Sequence, residues 1–144
     1  MIFSDFGLLP TLEWYRLELS KLYPNQHIEL ETSISEEDIP EDLKIAIFRI
    51  VQEALNNISK HAKSEWVDVR LVGNDGVIEL EISDDGIGMD LDYIIESSAP
   101  ESLGLIKMKE RTEFTGGEFT ITSFPNEGTR IKAIWRDRLN LNTP

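Results

Sequence analysis

Residues 45–62 read I-A-I-F-R-I-V-Q-E-A-L-N-N-I-S-K-H-A, and their period is that of a helix with two unlike faces. At about 100° per residue, Ile47, Ile50, Val51, Ala54, Leu55, Ile58 and Ala62 share one broad arc that needs a core to cover it. On the other side Glu53, Asn57, Lys60 and His61 stand at i, i+4, i+7 and i+8, so a carboxylate, an amide, an ammonium and an imidazole line one edge. Carboxylate and amide oxygens suit a hard cation such as Mg²⁺, and an ammonium suits phosphate oxygens. A solvated helix face would use the same residues, so this stretch alone leaves both uses open.

Working outward, Ser4–Leu22 reads S-D-F-G-L-L-P-T-L-E-W-Y-R-L-E-L-S-K-L, with Gly7 and Pro10 as punctuation ahead of a short helix that Tyr23-Pro24-Asn25 ends. His27–Thr32 alternates as a strand with Ile28 and Leu30 on one side. Ser33–Pro40 is acidic and loop-like, and Glu41 and Asp42 supply the negative charge that a helix N-terminus favours. Downstream, Glu65–Val72 and Val77–Ser83 alternate on either side of Asn74-Asp75-Gly76, which predicts a β-hairpin. Leu103–Thr115 is helix-like and is stopped by Gly116-Gly117; two further strands flank a turn at Pro125-Asn126-Glu127-Gly128.

The 144 residues fit one domain, and 40% hydrophobic with 28% charged residues is ordinary globular material. A formal charge of −13 argues against nucleic acid or an anionic membrane as the main partner, and any anionic ligand would need local help. Without cysteine there are no disulfides or thiolate metal sites, and two histidines make a histidine-built zinc site a poor expectation. Such a chain is compatible with a reducing cytoplasm. No apolar run has the length of a membrane span, and Met1–Pro10 lacks the pattern of a signal peptide, so a soluble piece is expected.

Strand parity adds information. Ile78, Leu80 and Ile82 share a sheet face, and the next step of two puts Asp84 on that inward face at the strand end. Ile131, Ala133 and Trp135 share a face, and a step back by two adds Thr129. An inward carboxylate needs a donor, so Asp84 is expected to meet backbone amides, a water or a ligand amine, or else to cap the turn Asp85-Gly86-Ile87-Gly88. Gly86 and Gly88 let the backbone approach a ligand closely, and Gly104 opens a predicted helix whose first amides could receive an anion. Lys107, Lys109 and Arg111 offer basic charge near that helix, or are simply surface residues. Met89–Glu101, with Asp90, Asp92, Glu96 and Glu101, is a candidate lid or a plain surface loop with a helical turn.

Three motifs in one order carry a family resemblance. E-A-L-N-N-I-S-K-H-A resembles the N box of sensor histidine kinases, D-D-G-I-G the first glycine box, and S-L-G-L-I-K-M-K-E-R with G-G-E-F-T-I-T-S-F-P-N-E-G-T the second. The match runs from about Ile45 to Trp135 and is most similar to the NarL/DesK-type group, within the superfamily of gyrase, Hsp-type chaperones, histidine kinases and MutL. S-D-F-G-L-L-P-T-L-E-W-Y resembles the segment that follows the dimerising phosphoacceptor hairpin in that group.

The resemblance implies a two-layer α/β sandwich of the Bergerat ATP-binding type, a mixed sheet covered on one face by helices. It implies a lead-in over residues 1–40, an ATP-binding core over 41–137 and a tail over 138–144. ATP and Mg²⁺ are the implied cofactors. Asn57 would coordinate Mg²⁺, Lys60 would contact phosphates, His61 would line the pocket, and Asp84 with Thr129 would recognise adenine. Gly86, Gly88 and Gly104 would shape the backbone around the nucleotide, with Leu103 and Leu105 flanking Gly104, and Glu53 is the candidate catalytic acid. Ser102 stands where the family has glycine, which is expected to tighten the lid or weaken nucleotide binding. The implied activity is transfer of the γ-phosphoryl group to a histidine on a separate dimerisation domain, for relay to a response regulator receiver domain. No histidine followed by an acid is present, so this piece is expected to bind ATP without phosphorylating itself, and to be mainly monomeric and cytoplasmic whether or not its parent is membrane-anchored. An ATP hydrolase using Glu53 to activate water, an anti-sigma-type serine kinase and a degenerate nucleotide-binding module remain the alternatives.

Overall fold

The polar-edged stretch is a helix, Glu41–His61, and its apolar arc seats it on a five-stranded sheet. The computed structural model describes residues 6–61, 63–97 and 99–138; Ala62 and the side chains of His61 and Glu101 lie outside what is described. In chain order the elements are α1 (Leu8–Leu22), β1 (His27–Ser33), α2 (Glu41–His61), β2 (Trp66–Asn74), β3 (Val77–Asp84), α3 (Leu91–Ser97), α4 (Pro100–Phe114), β4 (Glu118–Ser123) and β5 (Thr129–Arg136). A single 3-10 turn, Glu36–Asp38, precedes α2.

The sheet order is β1-β2-β3-β5-β4, with β1 parallel to β2 and every other pair antiparallel. This is the mixed two-layer arrangement expected. Period two sends Val67, Val69, Leu71, Ile78, Leu80, Ile82, Ile131, Ala133 and Trp135 to one face, where Leu43, Ile47, Ile50, Val51, Ala54, Leu55 and Ile58 of α2 meet them. Each fully buried leucine or isoleucine contributes about 2 kcal/mol, so this face anchors α2 and with it the polar edge. Leu8, Leu12 and Leu19 of α1 and Met108 of α4 complete the same core.

The other sheet face is polar. Arg70 pairs with Glu31, Arg130 with Glu81, Lys132 with Glu79 and Glu81, and Arg136 with Glu118, a cross-strand ladder of opposite charges.

Two boundaries differ from the sequence expectation. Helix α1 starts at Leu8, ahead of Pro10, because a proline in the first turn forfeits no intrahelical bond. Its free amides are capped from afar: the N–H groups of Leu8 and Leu9 donate to the Glu36 carboxylate at 2.8 and 2.9 Å, and Lys44 of α2 lies 3.1 Å from the same carboxylate. Helix α4 starts at Pro100 rather than Leu103, again with proline in the opening turn.

Candidate functional site

Strands β3, β5 and β4 end in one row, because the register sets Asp84 beside Thr129 and Thr129 beside Ser123. Asp84 and Thr129 both turn toward the helix side, as parity predicts. Above the row is a cavity of about 430 Å³, lined among others by Asn57 and Ile58 of α2, Asp84 and Thr129, Met108 of α4 and Ile131. Most of that lining is apolar, with a few polar groups at defined points, which is the usual make-up of a site for a small organic ligand.

Asp84 uses its two oxygens differently. Oδ1 accepts from the Gly86 amide at 2.7 Å and so caps the following turn, while Oδ2 is buried and has no hydrogen-bond partner among the described residues. The capping expectation therefore holds for one oxygen, and the second is left without a donor. Burial pushes the Asp84 carboxyl above its ordinary range, the Gly86 amide opposing and Asp85 assisting. An orphaned buried acceptor costs free energy until a donor reaches it.

The loop carrying Asp84 is pinned at both ends. Asp85 Oδ1 accepts from the Trp66 and Glu65 amides, both at 3.0 Å, and from Ser64 Oγ at 2.8 Å. The Trp66 amide leads in holding its carboxyl below the ordinary range, with burial opposing and the Ser64 hydroxyl and Glu65 amide assisting. At the other end the Met89 amide donates to Ser123 Oγ at 2.9 Å, and the Asn126 amide donates to the Ile87 carbonyl at 2.5 Å. Gly88, at φ +65°, has no room for a Cβ because the Phe124 carbonyl occupies that place; Gly128, at φ +75°, is likewise closed by the Asp84 carbonyl. The D-D-G-I-G loop and the β4–β5 turn therefore interlock through two glycines.

Along the polar edge of α2, Asn57 reaches the cavity, Glu53 is half-buried one turn earlier, and Lys60 is exposed. The His61 side chain lies outside the described ones. Gly104 sits in the second turn of α4, which corrects the expectation that it opens that helix. Its role is contact: a Cβ there would lie 2.6 Å from Glu53 Oε1 and 2.9 Å from Asn57 Nδ2. Glycine thus lets α4 close onto the polar edge.

The remaining expected residues divide. Leu105 and Gly88 line the cavity, whereas Gly86, Ser102 and Leu103 do not. Ser102 spends its hydroxyl and its amide on the Ala99 carbonyl, at 2.7 and 2.9 Å. Lys107, Lys109 and Arg111 are exposed and away from the cavity. The lid segment contains the short helix α3, which has no buried residue but brings Tyr93 and Ile94 to the cavity wall. Those two, with Ile87, Met89, Ile121 and Ser123, are residues that motif spacing did not single out; parity along β4 would have pointed Phe119, Ile121 and Ser123 inward together. Among the described residues no cluster of three His, Cys, Asp or Glu could hold a metal by itself, and no helix is long and apolar enough to cross a membrane.

Comparison with known proteins follows this geometry. DegS of Brevibacillus brevis, a signal transduction histidine-protein kinase/phosphatase, is 36% identical over 131 residues, covering 91% of this chain and 33% of that protein. An uncharacterized sensor-like histidine kinase of Chloroflexus aurantiacus is 37% identical, covering 87% of this chain and 21% of the relative. The sensor protein VraS of Staphylococcus aureus is 34% identical, covering 81% and 31%. The chain thus spans about a third or less of the length of these relatives. Among solved structures, the histidine kinase domain of the blue-light activated kinase EL346 from Erythrobacter litoralis superposes with a TM-score of 0.69 at 20% identity, covering 88% of this chain and 63% of that one. The mycobacterial sensor histidine kinase MprB does so at 0.63 and 22%, covering 88% and 92%, and both likenesses speak to the fold. The histidine kinase-, DNA gyrase B- and HSP90-like ATPase family matches residues 42–138, from the start of α2 through the end of β5. Because that match exceeds half of the chain and takes in every wall of the cavity, the chain belongs to this ATPase family.

Proposed function

We propose that this chain is the ATP-binding catalytic domain of a sensor histidine kinase, presenting the γ-phosphoryl group of ATP to a histidine on a separate dimerisation domain, from which a response regulator takes it. The observation that carries this is Asp84, which lines a mostly apolar cavity and keeps one buried carboxylate oxygen without a hydrogen-bond partner among the described residues. The exocyclic amine of adenine is a donor of the right kind, and Ile58, Met108 and Ile131 offer the ring apolar contact.

With the base held there, the polar edge of α2 receives the phosphates. Asn57, with Glu53 beside it, supplies hard oxygen ligands, which fits Mg²⁺ because that ion is bound by one or two side chains together with phosphate oxygens and waters. When bound, the ion neutralises phosphate charge. Asn57 and Glu53 fix the orientation of the triphosphate, and Lys60, exposed two turns beyond Glu53, meets its outer oxygens. Phosphoryl transfer needs little covalent chemistry from the protein, so positioning and electrostatics account for most of the rate.

Titration of the chain with ATP, with and without Mg²⁺, tests this by calorimetry. Binding should be stronger with Mg²⁺; Asn57→Ala should remove most of that gain, and Asp84→Asn should weaken binding about 10- to 100-fold, the worth of a charge-assisted hydrogen bond. Labelled γ-phosphate should then pass to a phosphoacceptor domain supplied in trans. An unmodified chain that binds no ATP at millimolar concentration would sink the proposal.

A further inference from the structure

The sheet brings two polar side chains to the cavity, Asp84 and Thr129, and the second takes its character from a third. Asp84 Oδ2 can only accept while ionised. Thr129 could face the cavity either with its proton or with its lone pairs, and Ser123 decides which. The Ser123 hydroxyl is buried, takes the Met89 amide at 2.9 Å, and lies 3.0 Å from the Gly128 carbonyl oxygen and 2.7 Å from Thr129 Oγ1. A serine has one proton, and a carbonyl oxygen can only accept, so that proton goes to Gly128. The contact with Thr129 is then made by the threonine's own proton, which points away from the cavity.

We propose that Ser123 is a specificity-determining residue for the nucleotide base: by taking the Thr129 proton it makes both groups acceptors, so the site admits a purine with an amine at its 6-position and disfavours one with a carbonyl there. This rests on the nucleotide-binding function proposed above. A 6-amino group brings two N–H donors to two acceptors, whereas a 6-oxo group brings lone pairs against lone pairs. Freed from Ser123, Thr129 can rotate and donate to the oxo group, and the discrimination falls.

The test is calorimetric titration of the whole chain with ATP and with inosine triphosphate in the presence of Mg²⁺. The two differ at the 6-position and share sugar and phosphates, so effects at the phosphate end cancel in their affinity ratio. The unmodified chain should prefer ATP, and Ser123→Ala should shrink that preference about tenfold, the scale of one hydrogen bond gained or lost. Thermal melts establish that the variant is folded; if it is not, Ser123→Cys, close in shape but a weak hydrogen-bonding group, carries the test with the same expectation. Equal loss of both nucleotides, leaving the ratio unchanged, would overturn the proposal and make Ser123 a packing residue. Equal affinities in the unmodified chain would also overturn it while leaving nucleotide binding intact. If neither nucleotide binds, it is the parent function that fails, and this inference with it.

Discussion

Burial works against a charge on Asp84. Its folded pKa is raised, so the stability linked to it is fully present below its ordinary value near 3.8 and is lost as pH rises through the folded value. At neutral pH the carboxylate therefore costs the nucleotide-free protein stability that a neutral amide would not. Asp84→Asn should raise the melting temperature of the nucleotide-free chain by roughly 2 °C, a small gain because the residue is partly exposed, and should reduce the rise that ATP gives the unmodified chain. Scanning calorimetry with and without nucleotide reads both; a lower melting temperature without ATP would mean the charge is needed to hold the Gly86 turn. The inward aim of Asp84 and Thr129 was legible in the sequence because a strand's period fixes side-chain direction. Ser123 was open to the same count forward from Ile121, yet a serine at a strand end has no chemical signature until the register sets it beside Thr129. The orphaned oxygen was not legible at all, since it depends on the packing of several other elements around the strand end.

At the scale of elements, α2 and α4 meet where Gly104 leaves no side chain between them. Its φ is helical and the atoms a Cβ would strike are the movable ends of Glu53 and Asn57, so Gly104→Ala should leave the nucleotide-free fold as stable or up to about 1 kcal/mol more stable, alanine being the better helix former. The same methyl displaces both polar ends, and the Mg²⁺-dependent part of ATP affinity should fall about tenfold. Urea melts and titrations on one variant separate the two effects. The type of nearly every long element could be read from period and punctuation, and the interior of α2 most securely of all. What failed was the start of α4, because S-L-G-L looks like a helix opening when proline's tolerance of the first turn is overlooked. The helical turn expected within Met89–Glu101 is present as Leu91–Ser97, but it is short and has no buried residue, so period and apolar content could not fix its bounds.

For the molecule as a whole, Glu36 ties the first helix to the principal one. Burial opposes its charge, but the Leu9 and Leu8 amides and Lys44 outweigh that and hold the carboxyl below its ordinary 4.5. The linked stability is complete above that value and is lost as pH falls through the lowered folded pKa. Glu36→Gln should accordingly cost about 1–2 kcal/mol near neutral pH and much less at pH 3, a difference that urea melts at the two pH values resolve. Sequence placed Glu36 in an acidic loop without its partners, because a cap supplied from 28 residues away has no local spacing to betray it. The ladder on the open sheet face has a last consequence. Its four bases and four acids cancel, so the whole excess of −13 resides elsewhere on the molecule, Asp84, Asp90 and Glu53 around the cavity included. A tetra-anion diffusing toward that mouth climbs a repulsive potential, and how often it arrives is governed by counter-ions in the medium before fit has any part in the outcome.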